Sequence, residues 1–220
     1  MVKNNIQSGA FIRIGLPKGR FLNSSLKIIR LLTDDSIVEG KLKYSNQKSG
    51  IFIYLLKASD IPKLVLSGLI DIGIAPEEWV LESLADRQTG NNKLVVLKRL
   101  PWIKSSLSFI GSGDTEIEND RILSIATSFP NLAQKAFESM KRNQLDFVKI
   151  NGSIEALVPD LVDIGFDCVE TGSTLIANDL INIHIAYSDL QIAIISTQDK
   201  SLQVPEEILN ALQSDLENEK

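Results

Sequence analysis

Short apolar runs alternate along this chain with segments whose apolar residues recur at helical spacing, and that alternation restricts the fold to α/β layers on mostly parallel sheets. Strands are expected at residues 11–16, 51–56, 69–75, 93–100, 106–111, 121–126, 146–150, 164–169, 180–187 and 190–196, with a weaker one at 42–44. Leu22, Leu26, Ile29 and Leu32 mark a helix over about residues 21–32. Leu132, Ala136, Phe137 and Met140 line another over 129–142, and Ile208, Leu212 and Leu216 a last one over 205–217. Asp60-Ile61-Pro62 opens a short helix that Gly68 ends, and Pro76-Glu77-Glu78 opens the next with acids in its first turn. Asn151-Gly152-Ser153 caps a short helix to about residue 158, and residues 86–92 and 112–120 read as loops.

An internal echo divides the chain. Leu66-Ser67-Gly68-Leu69-Ile70-Asp71-Ile72-Gly73-Ile74 is similar to Val158-Pro159-Asp160-Leu161-Val162-Asp163-Ile164-Gly165-Phe166. Both read as helix end, small turn, Asp-Ile-Gly and an apolar residue, which fits two related lobes. Pro101-Trp102 is the expected crossing. Lobe I is then residues 1–101 with 183–220, and lobe II is residues 102–182.

Composition excludes several classes. With 44% hydrophobic residues and a net charge of −5, the chain has a sizeable core and no sign of broad nucleic-acid or membrane binding. Residues 1–10 are polar and lack the apolar core of a signal peptide, and the single Cys168 excludes an internal disulfide, so a cytoplasmic location is expected. Cys168 reads as a packing residue. The single histidine, His184, alternates with Ile183 and Ile185 and reads as a strand-face residue. A histidine metal site or a serine triad has almost no material here.

Residues 162–174 carry the chemistry. The apolar run 164–169 ends in Glu170-Thr171-Gly172-Ser173-Thr174 and then the helix-like Leu175-Ile176-Ala177. Small hydroxylated residues and a glycine at a strand-to-helix corner make a phosphate cradle from backbone N–H groups and hydroxyls. Asp167 and Glu170 stand beside it, placed to accept from ribose hydroxyls or to interact with a Mg²⁺-bound diphosphate. An ordinary corner with Thr171 or Ser173 as N-cap is the alternative reading.

Six segments, in order, resemble the ATP phosphoribosyltransferase family in its short form. They are Gly15-Leu16-Pro17-Lys18-Gly19-Arg20, Ala58-Ser59-Asp60-Ile61-Pro62, residues 68–74, Ile125-Ala126-Thr127-Ser128-Phe129-Pro130-Asn131-Leu132, Asn151-Gly152-Ser153-Ile154-Glu155, and Asp167 through Asn178. The resemblance implies two α/β lobes like those of type II periplasmic binding proteins, with the active site in the inter-lobe cleft. It implies the first step of histidine biosynthesis: N1 of ATP attacks C1 of phosphoribosyl pyrophosphate and Mg²⁺-pyrophosphate leaves. It places Asp167, Glu170, Thr171, Gly172, Ser173 and Thr174 on the 5-phosphate and ribose, Ser153 and Glu155 facing the cleft, and Asp71 and Gly73 at a strand end there. Lys18, Gly19 and Arg20 fall to the diphosphate or nucleotide phosphates. No metal ligands are implied; Mg²⁺ comes with the pyrophosphate of the substrate. The short form lacks a carboxy-terminal regulatory domain, as this chain is expected to. It works with a regulatory subunit resembling histidyl-tRNA synthetase, and a homodimer within a hetero-oligomer is implied.

The departures remove positive charge. Pro76-Glu77-Glu78 stands for Gly-Lys-Asp, Ser128 for a lysine, Gln134-Lys135 for an arginine pair, Ile176 for an arginine, Asp179 for a glycine, Lys57 for an arginine, and Gly40 for a loop arginine near Lys41 and Lys43. Each lost charge-assisted phosphate contact costs about 1.5–3 kcal/mol. Two other readings follow: a paralogue using phosphoribosyl pyrophosphate with another acceptor, and a non-catalytic ligand-binding or regulatory module on the same scaffold.

Overall fold

The structure is a computed structural model that describes residues 11–86, 93–115, 122–140, 145–201 and 204–213. The expectations for the polar start at 1–10, most of loop 86–92, the end of loop 112–120, and the ends of the helices expected over 129–142 and 205–217 lie outside the described residues.

In chain order the elements are β1 Ile12–Pro17, α1 Leu22–Leu32, β2 Lys43–Asn46, β3 Ile51–Leu56, α2 Ile61–Leu66, β4 Ile72–Pro76, α3 Glu77–Ala85 and β5 Leu94–Gly111. Then come β6 Leu123–Thr127, α4 Pro130–Ser139, β7 Leu145–Lys149, β8 Ile164–Val169, α5 Ser173–Ala177, β9 Ile181–Thr197, α6 Gln198–Ser201 and α7 Glu206–Gln213. Two pairs of expected strands are single strands. Extended backbone runs through Pro101, whose fixed φ suits a strand, and β9 runs through Asp189 at φ +55°. The segment after Ser153 is a one-turn 3₁₀ helix, Ile154–Ala156, and not a helix to residue 158.

The chain forms two compact units, residues 1–102 with 191–220, and residues 103–190. In the first, β1 pairs in parallel with β3 and β4, β2 closes on β3 antiparallel, and β4 pairs antiparallel with the end of β9. In the second, β6 pairs in parallel with β7 and β8, and β8 pairs antiparallel with the end of β5. Each unit therefore sets its first parallel strand between its second and third parallel strands, and flanks the third with an antiparallel strand. This is α/β architecture of the type II binding-protein kind.

The two Asp-Ile-Gly segments perform one structural task twice. Asp71 precedes β4, and its Oδ2 accepts from the backbone N–H of Arg13, second residue of β1, at 2.8 Å. Asp163 precedes β8, and its Oδ2 accepts from the backbone N–H of Ser124, second residue of β6, at 2.8 Å. One residue on, Ile14 registers with Ile72 and Ile125 with Ile164. The glycines admit a covering turn. A Cβ at Gly165 would meet Ile154 Cγ2 at 2.5 Å, and one at Gly73 would meet Val65 Cγ2 at 3.0 Å and overlap Ile61 more severely. Over the first glycine, Ile61, Val65, Ile70, Ala75, Val80 and Ile195 form a core; over the second, Ile110, Ala126, Ile154, Val162 and Leu175 do. On another side of the second unit, Phe109 packs on Phe166 with ring centroids 4.7 Å apart and on Phe137 at 6.0 Å.

Candidate active site

Parallel strands direct all their carboxyl ends to one edge of each unit, where α/β sheets gather ligands. In the second unit that edge carries Ser128 after β6, Asn151–Glu155 after β7 and Glu170–Thr174 after β8. Ties between strands hold it. Thr127 Oγ1 donates to the Phe166 carbonyl at 2.8 Å and accepts from the Phe129 N–H at 2.8 Å, while Ser128 Oγ donates to the Ile150 carbonyl at 2.7 Å.

Glu170, Thr171, Ser173 and Thr174 are exposed at the corner between β8 and α5. Gly172, at φ +72°, is the N-cap of α5, in place of the hydroxyl residues considered for it. Thr171 Oγ1 and Ser173 Oγ lie 2.9 Å apart, and the Ser173 N–H points at Thr171 Oγ1 at 3.4 Å. These donors converge on one small loop. Asp167 is half-buried in β8, and its Oδ1 accepts from the Cys168 N–H at 2.8 Å. Strand alternation puts Asp167 on the Gly165 face, the face that Ile154 covers, and opposite the buried Phe166. Glu155 follows Ile154 in that 3₁₀ turn and is half-exposed. Ser153 sits before it in a left-handed conformation, φ 54°, following Gly152 at φ +92°.

In the first unit the carboxyl edge is a cavity of about 450 Å³ lined by Lys18, Gly19, Lys57, Ala58, Ser59 and Trp79. Lys18 follows β1, its N–H bonded to the Leu56 carbonyl at 2.8 Å, which ties the ends of β1 and β3 together. Gly19 at φ +75° turns the chain into a 3₁₀ turn, Gly19–Phe21. Neither the Lys18 nor the Lys57 ammonium has a hydrogen-bond or ion-pair partner among the described residues. Arg20 turns elsewhere, with its guanidinium 4.7 Å from the Phe21 ring centroid and 3.9 Å from Glu78 Oε1. Sequence reasoning assigned Lys18 and Gly19 but passed over Trp79, whose signal was an aromatic residue in the first turn after a β-strand carboxyl end.

Asp71 and Gly73 lie apart from this edge. Asp71 precedes β4, at the opposite end of the parallel strands, and its carboxylate is occupied. Arg13 donates from Nε at 2.9 Å and Nη2 at 2.9 Å, and Lys200 from its ammonium. Burial pushes the Asp71 carboxyl up, but the Arg13 and Lys200 hydrogen bonds outweigh it and hold the group below its ordinary range. The same contact raises Arg13. Glu77, the apparent charge reversal, is buried and fully engaged. Arg99 Nε donates to Oε1 at 2.7 Å and the Gln191 N–H to Oε2 at 2.9 Å. Cys168 is half-buried and unbridged, and His184 is exposed on β9, its ring 6.3 Å from Phe109. No helix among the described residues is long and apolar enough to cross a membrane.

Relatives agree with this architecture. A family model described as HisG: ATP phosphoribosyltransferase matches residues 57–218. An ATP phosphoribosyltransferase of Clostridioides difficile (strain 630) is 33% identical over 175 residues, covering 77% of this chain and 80% of its own. One of Psychrobacter arcticus is 33% identical over 174 residues, covering 77% and 72%. Among solved structures, a chain of the ATP phosphoribosyl transferase (HisG:HisZ) complex from Thermotoga maritima has a TM-score of 0.76 at 21% identity, covering 93% of this chain and 100% of that one. The likeness in fold, the match over most of the length and the level of identity together place the chain in the HisG, ATP phosphoribosyltransferase, family.

Proposed function

We propose that this chain is the catalytic ATP phosphoribosyltransferase of the first step of histidine biosynthesis. The observation that carries the reading is the exposed Glu170–Thr174 corner at the carboxyl end of β8, with Asp167 behind it, in a chain of this family. Thr171, Gly172, Ser173 and Thr174 hold the 5-phosphate of phosphoribosyl pyrophosphate through N–H groups and hydroxyls. Asp167 and Glu170 accept from the ribose hydroxyls. As the C1–O bond to pyrophosphate breaks, positive charge develops on the ribosyl ring, and these carboxylates, with Glu155, stabilise it. The adenine N1 lone pair forms the new bond to C1, and the electron pair of the broken bond leaves with pyrophosphate. No side-chain nucleophile is needed. Lys18 and Lys57 in the first unit meet the phosphates of the nucleotide.

Mg²⁺ enters as part of the substrate, on the diphosphate it leaves with. Among the described residues no three histidine, cysteine or acidic side chains cluster to hold a metal of their own. A regulatory subunit resembling histidyl-tRNA synthetase is the expected partner. The Thermotoga maritima relative was solved as a HisG:HisZ complex, which supports that assignment. The reaction sets the enzyme in the cytoplasm.

The test is product formation from ATP and phosphoribosyl pyrophosphate with Mg²⁺, followed by ultraviolet absorbance and mass, with and without such a partner and with pyrophosphatase. Phosphoribosyl-ATP is the expected product. Asp167→Asn with Glu170→Gln should abolish transfer and leave the melting temperature nearly unchanged; full activity in that variant removes the pair from the mechanism. Donor binding without product from ATP favours the second reading, another acceptor, which the neutral Ser128 and Ile176 support.

A further inference from the structure

The first unit's cavity holds more than a phosphate grip. We propose that Trp79 forms the wall of a base-binding subsite there, its indole stacking on the planar ring of a nucleotide whose phosphates Lys18 and Lys57 hold. The inference rests on the proposed function in taking that nucleotide to be the acceptor, and it assigns the side chain that selects it.

The cavity, about 450 Å³, falls in the range of small-molecule sites, and its lining sorts into two chemistries. Lys18 and Lys57 offer two ammonium groups, which suit an anion, while the Ser59 hydroxyl donates to Asp60 Oδ1 at 3.3 Å. Ala58 and Trp79 offer an apolar wall with one large π face, and Gly19 has no side chain and nothing within 4 Å of where a Cβ would stand. A phosphate alone leaves the aromatic wall unused, and an uncharged aromatic compound leaves the two exposed ammonium groups at the rim unused. A ligand both planar and phosphorylated satisfies both.

The orientation of Trp79 follows from its neighbours. Glu77, Glu78 and Val80 are all buried, so the first turn of α3 is fixed on three sides and Trp79 is the half-buried residue left facing the cavity. The two acids before it do not charge the site. Glu77 is bonded to Arg99 and to the Gln191 N–H, and Glu78 lies 3.9 Å from Arg20. Neither Glu77 nor Glu78 is therefore an open carboxylate beside the indole; the carboxylate next to the lining is the exposed Asp60, which accepts from Ser59 Oγ at 3.3 Å.

The chain has two tryptophans, Trp79 and Trp102, so Trp102→Phe leaves Trp79 as the sole indole emitter. Titration of that protein with ATP is expected to change its emission saturably, with the midpoint equal to the calorimetric Kd. In the otherwise unaltered chain, Trp79→Leu should weaken ATP binding about tenfold by calorimetry, and Trp79→Phe should recover most of it. Tripolyphosphate, which has no base, should bind all three proteins alike, and unchanged affinity for phosphoribosyl pyrophosphate checks that the variants are folded. Equal ATP affinity in Trp79→Leu and wild type, or saturating ATP without any emission change, overturns the inference while leaving the proposed reaction intact. A wild type that makes no phosphoribosyl-ATP, while the Trp79 emission of the Trp102→Phe protein responds to another phosphorylated aromatic compound, overturns ATP as acceptor and sustains the subsite. A folded protein that binds neither overturns both.

Discussion

Gly73→Ala is the sharpest test of whether the Asp-Ile-Gly segments are packing devices or parts of the site. The new methyl would overlap Ile61 Cγ2 and stand 3.0 Å from Val65 Cγ2. Neither can retreat cheaply: Ile61 and Val65 are both fully buried, and a β-branched side chain in a helix has essentially one χ1 rotamer. Overpacking of this kind costs about 1–3 kcal/mol. The upper part of that range applies, because the atom struck is on the branched carbon of Ile61 and not at the end of a flexible chain. Alanine gives back up to about 1 kcal/mol through lower backbone entropy in the unfolded chain. The net loss is then about 2 kcal/mol, a fall of roughly 4–8 °C in melting temperature for a chain of this size. Ile61→Ala alone should cost about 2–5 kcal/mol through its cavity. The double variant should be better than additive by about 1 kcal/mol or more, since the Gly73 methyl then occupies vacated space. Affinity for phosphoribosyl pyrophosphate should not change. A Gly73→Ala protein melting within about 1 °C of wild type, or one with normal stability and lost substrate binding, would refute the packing argument.

Two further perturbations probe the charges of the first unit. Asp71 has a folded-state carboxyl held below its ordinary 3.8, so its contribution is present above that value and is lost as pH falls through the lower folded one. Urea midpoints of wild type and Asp71→Asn should therefore differ at neutral pH and converge below about pH 3.8; a constant gap down the acid limb contradicts the ion-paired clamp. Glu77→Lys should cost about 2–3 kcal/mol, a figure kept low because Arg99 is 61% exposed. Adding Arg99→Glu should restore part of it in thermal melts, and a double variant no better than the single one shows that the pair is not coupled.

The alternation of apolar runs gave away the α/β class, and the repeated Asp-Ile-Gly marked the two units, because packing demands act on neighbours in sequence: a carboxylate, a strand start and a missing Cβ. The long strands were hidden. Pro101 and the polar Ser188-Asp189 read as breaks, but strand continuity through β5 and β9 is decided by partners far along the chain. At Asp179, where the resemblance expects glycine, the backbone lies at φ +56°, a left-handed conformation that aspartate also tolerates. The corner at Glu170–Thr174 was legible from local chemistry. Trp79 was not, since only the meeting of the β1 and β3 ends with α3 makes it part of a cavity. Glu77 read as a charge reversal at the site for the same reason, because charge in a sequence carries no direction.

Taken as a list of substitutions, the lost cations imply a chain that has abandoned polyanions. Their surroundings divide them into two kinds. At residue 77 the reversal is internal: the new carboxylate is sequestered by Arg99 and a backbone N–H, so it subtracts little from the potential at Lys18 and Lys57. At Ser128 and Ile176 the loss is real. The Ser128 hydroxyl is spent on the Ile150 carbonyl, and Ile176 stands 77% exposed where the resemblance expects a guanidinium. Positive charge is thus kept in the first unit's cavity and thinned at the second unit's edge. It is also kept as lysine. An ammonium holds a phosphate as a point charge, without the fork that fixes an arginine's orientation on it. If Lys18 and Lys57 hold phosphates as proposed, they do so with little directional preference, and the selectivity falls to the rest of the ligand, for which the cavity offers the aromatic face of Trp79.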